Sequence, residues 1–321
     1  MGKDTAKPVD RAFSPCAGHE PEPTYSGALS FMRRRYTKDV RGADAVVWGI
    51  PFDTSVTNRP GCRFGPQAIR RASAILDAGD PQEPFGIDPF EALNVVDYGD
   101  AVFSSSRLWE APAAMEAEAA GLIADGAFLL TLGGDHFCTY PVLRALRQRH
   151  GPMALIQFDA HQDTWPDDGE EVSHGNFVLR AVREGIIDPA RSIQIGIRTH
   201  APEDCGIAML RGADLDEMGA GAIAEAILAR VGAGPAYITF DIDCLDPAFA
   251  PGTGTPTAGG PSTARMLNVL SRLSGLDCVG ADVMEVSPPY DHADVTAIAG
   301  AAIASTYLSL LALKKREERI A

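Results

Sequence analysis

Runs of apolar residues of strand length alternate along this chain with longer segments of helical periodicity. The apolar runs are continuous, as in Met153-Ala154-Leu155-Ile156, and do not alternate with polar residues. Continuous runs are typical of parallel strands that helices cover on both faces. Strands joined by helices imply right-handed βαβ crossovers. The pattern therefore predicts an α/β fold, a three-layer α/β/α domain with a central, mostly parallel sheet of about eight strands.

The predicted elements follow an N-terminal arm. Residues 1–24 are rich in proline and polar residues and show no periodicity, so we expect an arm over the surface of a single domain, residues 25–321. The predicted strands are Ala45–Gly49, Leu93–Asp97, Ala127–Leu132, Met153–Phe158, Ser192–Gly196, Ala236–Phe240 and Asp277–Val283. The predicted helices are Pro66–Ala78, Ala111–Asp125, Cys138–Arg149, Asn176–Glu184, Ala220–Val231, Ser262–Ser274 and Asp294–Lys315.

The charge, the apolar runs and the cysteines of the chain limit the partners and the location that we expect for the protein. The chain has 28 Lys and Arg against 43 Asp and Glu, a formal net charge of −15, which argues against nucleic acid or an anionic membrane as a partner. No apolar leader precedes the domain, and no apolar run reaches the about 20 residues that span a bilayer. The six cysteines form no CxxC pair, as is typical of reduced thiols. We therefore expect a cytoplasmic protein.

Acidic residues and histidines follow several predicted strands at their carboxyl ends, where an open parallel sheet binds its ligands. Residues two apart in an extended chain face the same way, so we expect those that follow one strand to converge. A single Asp or His at such a position is usually a cap or a loop hydrogen-bond partner. Here six occur together: His136, Asp159, His161, Asp163, Asp241 and Asp243.

Four carboxylates at one sheet edge predict a metal centre. Like charges at short range raise one another's pKa values, and divalent cations are the natural way to neutralise them. Six ligands are too many for one tetrahedral ion and suit two ions that share carboxylates. Oxygen ligands with some imidazole and no thiolate fit Mn²⁺ better than Zn²⁺, with Ni²⁺, Co²⁺ or Fe²⁺ also possible.

These motifs resemble those of the ureohydrolase (arginase and agmatinase) family, and the resemblance covers nearly the whole chain after the arm. Further segments resemble the bacterial agmatinases in particular. The segments that carry the resemblance are Gly49–Asp53, Arg59–Gly61, Phe64–Pro66, Gly133–His136, Phe158–Thr164, Ser173–Gly175, Gln194–Thr199, Phe240–Pro247, Pro251–Pro256 and Glu285–Asp291.

The resemblance implies an arginase-like fold, a trimer or hexamer, and an enzyme that hydrolyses a guanidino compound to an amine and urea. It implies two manganese ions. His136 and Asp163 would ligate one ion and His161 and Asp243 the other, with Asp159 and Asp241 shared between them.

The resemblance also implies the residues that act on the substrate. Glu285 would hold the guanidinium by charge-assisted hydrogen bonds, and His174 would shuttle protons, for which an imidazole is suited. Asp163 would orient the attacking water as well as bind metal. Trp165 and Asn176 would form part of the pocket wall, and a wall bulkier than is usual in agmatinases would favour a shorter substrate.

Agmatine is the first candidate substrate. Arginases typically carry an Asn after the D-x-H-x-D motif to grip an α-carboxylate, and Thr164 stands there instead. The following loop holds four acidic residues that suit an ammonium: Asp167, Asp168, Glu170 and Glu171. The alternatives are 4-guanidinobutyrate, 3-guanidinopropionate and small alkylguanidines.

Two other classes of protein compete with this interpretation. A non-catalytic regulatory homologue would have lost a ligand or Glu285, and this chain keeps them all. A deacetylase with a single zinc ion would lack the ligands of a second ion, His136 and Asp163. Both are therefore disfavoured.

Overall fold

Nine parallel strands form one sheet in this computed structural model, which describes residues 23–27, 29–76, 82–104, 106–166 and 172–320. Their order across the sheet is β1-β3-β2-β4-β9-β8-β5-β6-β7, and every neighbouring pair is parallel. The strands are β1 Arg35–Tyr36, β2 Ala45–Gly49, β3 Val95–Asp100, β4 Phe128–Leu132, β5 Ala154–Phe158, β6 Ile193–Ile197, β7 Ala208–Arg211, β8 Pro235–Phe240 and β9 Asp277–Val283.

The predicted α/β architecture is confirmed, and all seven predicted strands are present within a few residues of their expected bounds. The sheet has two further strands, β1 and β7, one at each edge. β1 is only two residues long, and β7 is half-buried. Neither forms a continuous apolar run, because an edge strand is less covered than a central one, so the pattern did not reveal them.

Helices cover both faces of the sheet. Successive residues of β2 point to opposite faces: Val47 packs with Ile69 and Ile303 on one face, and Trp48 packs with Met115 on the other. α1, α7, α8 and α9 cover the first face, and α3, α4 and α5 cover the second. The helices are α1 Gly65–Ser73, α2 Pro89–Ala92, α3 Ala111–Leu122, α4 Thr139–His150, α5 Phe177–Arg183, α6 Gly212–Glu217, α7 Ala220–Val231, α8 Thr263–Leu270 and α9 Val295–Ile320.

The last helix is longer than its pattern predicts, ending at Ile320 and not at Lys315. By length and composition, Val295–Arg319 is the one helix within the described residues that qualifies as a membrane span. Its apolar window is 67% buried inside the protein, as is typical of the core helix of a soluble protein. The charged residues at its C-terminal end are exposed, which explains why the apolar pattern stopped short.

Two expectations fall on residues outside the described ranges. The N-terminal arm lies almost entirely within residues 1–22, and part of the predicted helix Pro66–Ala78 lies within residues 77–81. The described part of that helix is α1, followed by a 3₁₀ turn at Ala74–Leu76. A single domain over residues 25–321 remains a prediction.

Candidate functional site

Four neighbouring strands carry the acidic residues and histidines to one edge of the sheet. β4, β9, β8 and β5 are adjacent in that order. His136 follows β4, Asp159 follows β5, Asp241 follows β8 and Glu285 follows β9. Because all four strands are parallel, their carboxyl ends meet at the same edge. The structure therefore brings the six predicted metal ligands together.

The first group of side chains surrounds the His136 imidazole. Its Nδ1 atom lies 3.1 Å from Asp159 Oδ2, 3.1 Å from Asp163 Oδ2 and 3.3 Å from Asp241 Oδ2. Nδ1 is buried and has no hydrogen-bond partner, whereas Nε2 lies 2.8 Å from Thr239 Oγ1. An orphaned nitrogen that faces three carboxylate oxygens has the position of a metal ligand.

The second group surrounds the His161 imidazole. Its Nδ1 atom lies 3.1 Å from Asp243 Oδ2 and 3.4 Å from Asp159 Oδ1. Asp159 therefore directs one oxygen to each imidazole and belongs to both groups. Among the described residues, Asp241 groups with His136 and Asp159, and its Oδ1 accepts a hydrogen bond from the Asp243 amide over 2.8 Å.

The charges of this cluster fit two divalent cations. Burial raises the pKa of Asp163 to about 7, and burial also holds the pKa of Asp241 well above its usual range. Burial lowers the pKa of His161, but the neighbouring carboxylates outweigh it and raise the pKa to about 12. The same balance raises the pKa of His136. Without metal, protons on the imidazoles and on carboxyls with raised pKa values balance the charge of the cluster, and metal ions would replace those protons.

The ligands converge by a different route from the one that the sequence predicted. Asp241 and Asp243 do not alternate along a strand, because Ile242–Cys244 forms a 3₁₀ turn. Asp163 adopts a left-handed conformation with φ 52°, which is uncommon outside glycine. The expectation of extended chain was therefore wrong in both segments, although the residues do meet.

Buried amide and hydroxyl groups hold these ligands, and no motif in the sequence predicted them. Gln157 Nε2 donates to Asp159 Oδ2 over 2.8 Å, and Gln194 Nε2 donates to Gln157 Oε1 over 2.7 Å. On the other side, Thr239 Oγ1 donates to Asp282 Oδ1 over 2.6 Å. These contacts fix the orientation of the ligands and the tautomer of His136.

Glu285 and His174 lie beside the cluster. Glu285 Oε1 accepts a hydrogen bond from the His136 amide over 2.9 Å and lies 3.2 Å from His174 Nδ1. Glu285 Oε2 is buried and has no partner, and a Cβ atom at Gly254 would stand 3.3 Å from it. Glu285 itself has a φ of 63°, so its backbone is strained. A carboxylate oxygen without a partner that faces a glycine is free to accept hydrogen bonds from a ligand.

The electrostatic balance at His174 resembles that of the metal cluster. Burial lowers the pKa of its imidazole, but the Glu285 carboxylate outweighs burial and raises the pKa to about 9. His174 therefore carries a proton at neutral pH in the metal-free protein, although the residue is only 8% exposed.

A cavity of about 370 Å³ leads from the cluster to the surface. Trp165 and Asn176, both predicted as wall residues, line it. Asn176 Oδ1 accepts a hydrogen bond from the Ser173 amide over 2.7 Å, so it also holds the loop in place. The described residues that line the cavity include no Lys or Arg. They are Thr57, His161, Asp163, Trp165, Pro166, Ser173, His174, Gly175, Asn176, Asp241 and Thr255.

Three residues next to the metal motifs make contacts that support the loops. Asp135 accepts a hydrogen bond from the Ser55 amide over 2.8 Å. Asp246 accepts one from the Gly259 amide over 2.7 Å. Cys244 is buried with its sulfur 3.6 Å from the Ile195 carbonyl. The acidic loop of residues 167–171, predicted to hold an ammonium, lies outside the described residues.

Comparison with known proteins identifies the family. A sequence model of the arginase family matches residues 43–309. The chain belongs to the arginase family. It is 48% identical over 300 residues to a curated agmatinase of Chromobacterium violaceum, which covers 93% of each chain.

Solved structures agree with this membership. A crystal structure of a hypothetical agmatinase from Burkholderia thailandensis is 47% identical, with a TM-score of 0.92 over 95% of this chain and 98% of that one. Proclavaminate amidino hydrolase from Streptomyces clavuligerus is 39% identical, with a TM-score of 0.86 over 91% of this chain and 100% of that one. This member of the arginase family is a ureohydrolase, and its His and Asp groups suit the two metal ions on which the family depends.

Proposed function

We propose that this arginase-family enzyme hydrolyses agmatine to putrescine and urea. The observation that carries the proposal is the absence of Lys and Arg from the described cavity lining. Beside that lining, next to His174, Glu285 keeps a buried carboxylate oxygen without a partner. A substrate with a guanidinium at one end and an ammonium at the other fits such a cavity. The relatives named agmatinase support the same choice.

The alternative substrates differ at the outer end. 4-Guanidinobutyrate and 3-guanidinopropionate carry a carboxylate there, which would find no cationic partner among the described lining residues. A small alkylguanidine would leave the outer end empty. Guanidino acids and alkylguanidines would both still use Glu285 and the metal cluster. They are therefore alternative substrates for the same hydrolytic reaction.

The proposed cofactors are two Mn²⁺ ions, with Ni²⁺ or Co²⁺ as alternatives. Carboxylate oxygens with imidazole suit manganese. When bound, two divalent ions would supply a water nucleophile strong enough near neutral pH for a guanidinium carbon. We assign one ion to His136 and Asp163 and the other to His161 and Asp243, with Asp159 and Asp241 shared. For Asp159 the support is direct, because each of its oxygens faces a different imidazole.

Three residues of this chain would act on the reacting atoms. Glu285 holds the guanidinium through Oε2 and orients its carbon towards the cluster. Asp163 accepts a hydrogen bond from the attacking water and so directs a lone pair at that carbon. His174 donates its Nδ1 proton to the departing amine nitrogen, since the amine is a poor leaving group without a proton. Trp165 and Asn176 enclose the substrate chain.

The assembly and location of the enzyme belong to the same proposal. We propose that the enzyme is a homo-oligomer, either a trimer or a hexamer. Light scattering would measure the mass of the oligomer in solution. Putrescine is a polyamine, so the enzyme would serve polyamine biosynthesis in the cytoplasm. N-terminal residues 1–24 would form an arm and residues 25–321 the catalytic domain.

The test is urea release by the Mn²⁺-loaded protein from a panel of guanidino compounds. The panel holds agmatine, 4-guanidinobutyrate, 3-guanidinopropionate, arginine and methylguanidine. We expect a kcat/KM for agmatine at least about 100-fold above the others, because each would lose a charge-assisted contact or leave a charge unpaired. Preference for a guanidino acid would refute agmatine as the substrate while leaving the chemistry in place. No urea from any member would refute both.

A further inference from the structure

Thr57 contacts His174 from the solvent side of the cavity. Its Oγ1 atom lies 3.0 Å from His174 Nε2, and the other ring nitrogen, Nδ1, lies 3.2 Å from Glu285 Oε1. His174 is buried, whereas Thr57 is exposed. The imidazole is therefore held between a carboxylate on its inner side and a hydroxyl on its outer side.

The loop that carries Thr57 is anchored on both sides of this residue. Before it, the Ser55 amide donates to Asp135 Oδ2 over 2.8 Å. After it, Asn58 Nδ2 donates to the Gly254 carbonyl over 2.9 Å. Both acceptors belong to segments that border the site. The position of the Thr57 hydroxyl relative to His174 is thus fixed by hydrogen bonds to the site itself.

A hydroxyl has a property that this position requires. An imidazole that donates and regains a proton changes between donor and acceptor at its nitrogens, and a hydroxyl can donate or accept. Thr57 can accept from Nε2–H or donate to a bare Nε2 without moving. Valine has nearly the same shape and offers neither option.

We propose that Thr57 is a positioning residue for the reaction, whose hydroxyl fixes the His174 ring with Nδ1 directed at Glu285 and at the departing amine nitrogen. The inference rests on the proposed function, because it requires His174 to protonate the amine. In that step the C–N bond breaks with its electron pair going to the amine nitrogen. The Nδ1–H bond breaks as the amine N–H bond forms. Thr57 acts through His174 and not on the substrate.

The first test compares Thr57→Val and Thr57→Ser with agmatine as substrate. We expect Thr57→Val to lower kcat about tenfold, the value of one hydrogen bond to a charged group, and to change KM less than about twofold. Thr57→Ser keeps the hydroxyl and should retain most of kcat. Thr54→Val, the same change at an exposed residue of the same loop, serves as the control. Metal content and melting temperature should match the wild type in all three.

The second test asks whether Thr57 acts through His174. In a His174→Gln background, whose residual turnover sets the baseline, Thr57→Val should cause no further loss, because the ring that it positions is gone. A full tenfold loss in that background would overturn the inference, and so would an unchanged kcat in the single variant. Wild-type protein that releases no urea from agmatine would instead overturn the proposed function itself.

Discussion

The two ends of the site are built differently. The inner end, the metal cluster with Glu285, consists of residues that follow buried central strands, such as Asp159 and Glu285, whose side chains are fully buried. The outer end consists of loop residues such as Trp165 and Ser173, which are half-exposed and uncharged. The comparison indicates that the inner end determines the reaction and the outer end selects the substrate. Changes at the inner end should therefore lower turnover of every guanidine, and changes at the outer end should affect only some.

Removal of the metal should have the largest effect. We expect a chelator to abolish urea release from every substrate, and Mn²⁺ to restore it. Because the pKa of His161 is raised to about 12 and that of His136 lies well above its usual value, both imidazoles are protonated at pH 7 without metal. Reloading should thus release at least about two protons per chain. Since protons compete with metal, affinity for Mn²⁺ should fall as pH decreases.

Calorimetry in two buffers with different heats of ionisation measures that proton release. The Glu203→Gln variant, altered at an exposed surface carboxylate, provides a control for unspecific charge effects. Metal uptake without proton release at pH 7 would contradict the charge balance that we derive for the cluster. Activity that survives complete metal removal would contradict the role of the inner end.

Glu285→Gln should have the next largest effect. The glutamine keeps an acceptor for the His136 amide but loses the charge that pairs with a guanidinium. We expect kcat/KM to fall about 100-fold, or about 3 kcal/mol, for agmatine and methylguanidine alike. Equal losses for both substrates would show that Glu285 acts on their shared guanidinium. A loss confined to agmatine would mean that Glu285 contacts the part of agmatine that methylguanidine lacks. The difference that we infer between the inner and outer ends would then be wrong.

The sequence predicts the inner end better than the outer end, for a physical reason. A strand end in an open parallel sheet brings its residues to a known edge whatever the loops do, so the grouping of Asp159, His161 and Asp163 survived a wrong expectation of their local conformation. The left-handed φ of Asp163 could not be predicted, since Asp adopts this region more often than most residues but still only occasionally.

No comparable rule predicts which loop residues meet at the outer end. Thr57 meets His174 across 117 positions of the chain, and nothing in a polar loop distinguishes this threonine from Thr54. The order of the strands is likewise set by long-range packing. Periodicity could therefore predict the α/β class and most strands, whereas it could not predict which strands would be neighbours or which loop residue would reach the imidazole.

The smallest effect should come from Trp165, and it tests the outer end directly. Trp165 lines the cavity with its ring centroid 6.3 Å from that of His161, and an indole face attracts an ammonium. We expect Trp165→Leu to raise KM for agmatine about fivefold, near 1 kcal/mol, and Trp165→Phe to raise it less. Pentylguanidine, in which a methyl group replaces the ammonium of agmatine, is the matched control substrate. Its KM, measured by urea release, should stay the same in both variants. An equal rise for both substrates would mean that Trp165 contributes only apolar contact. The selection of a dication would then have to reside in the acidic residues between Asp167 and Glu171.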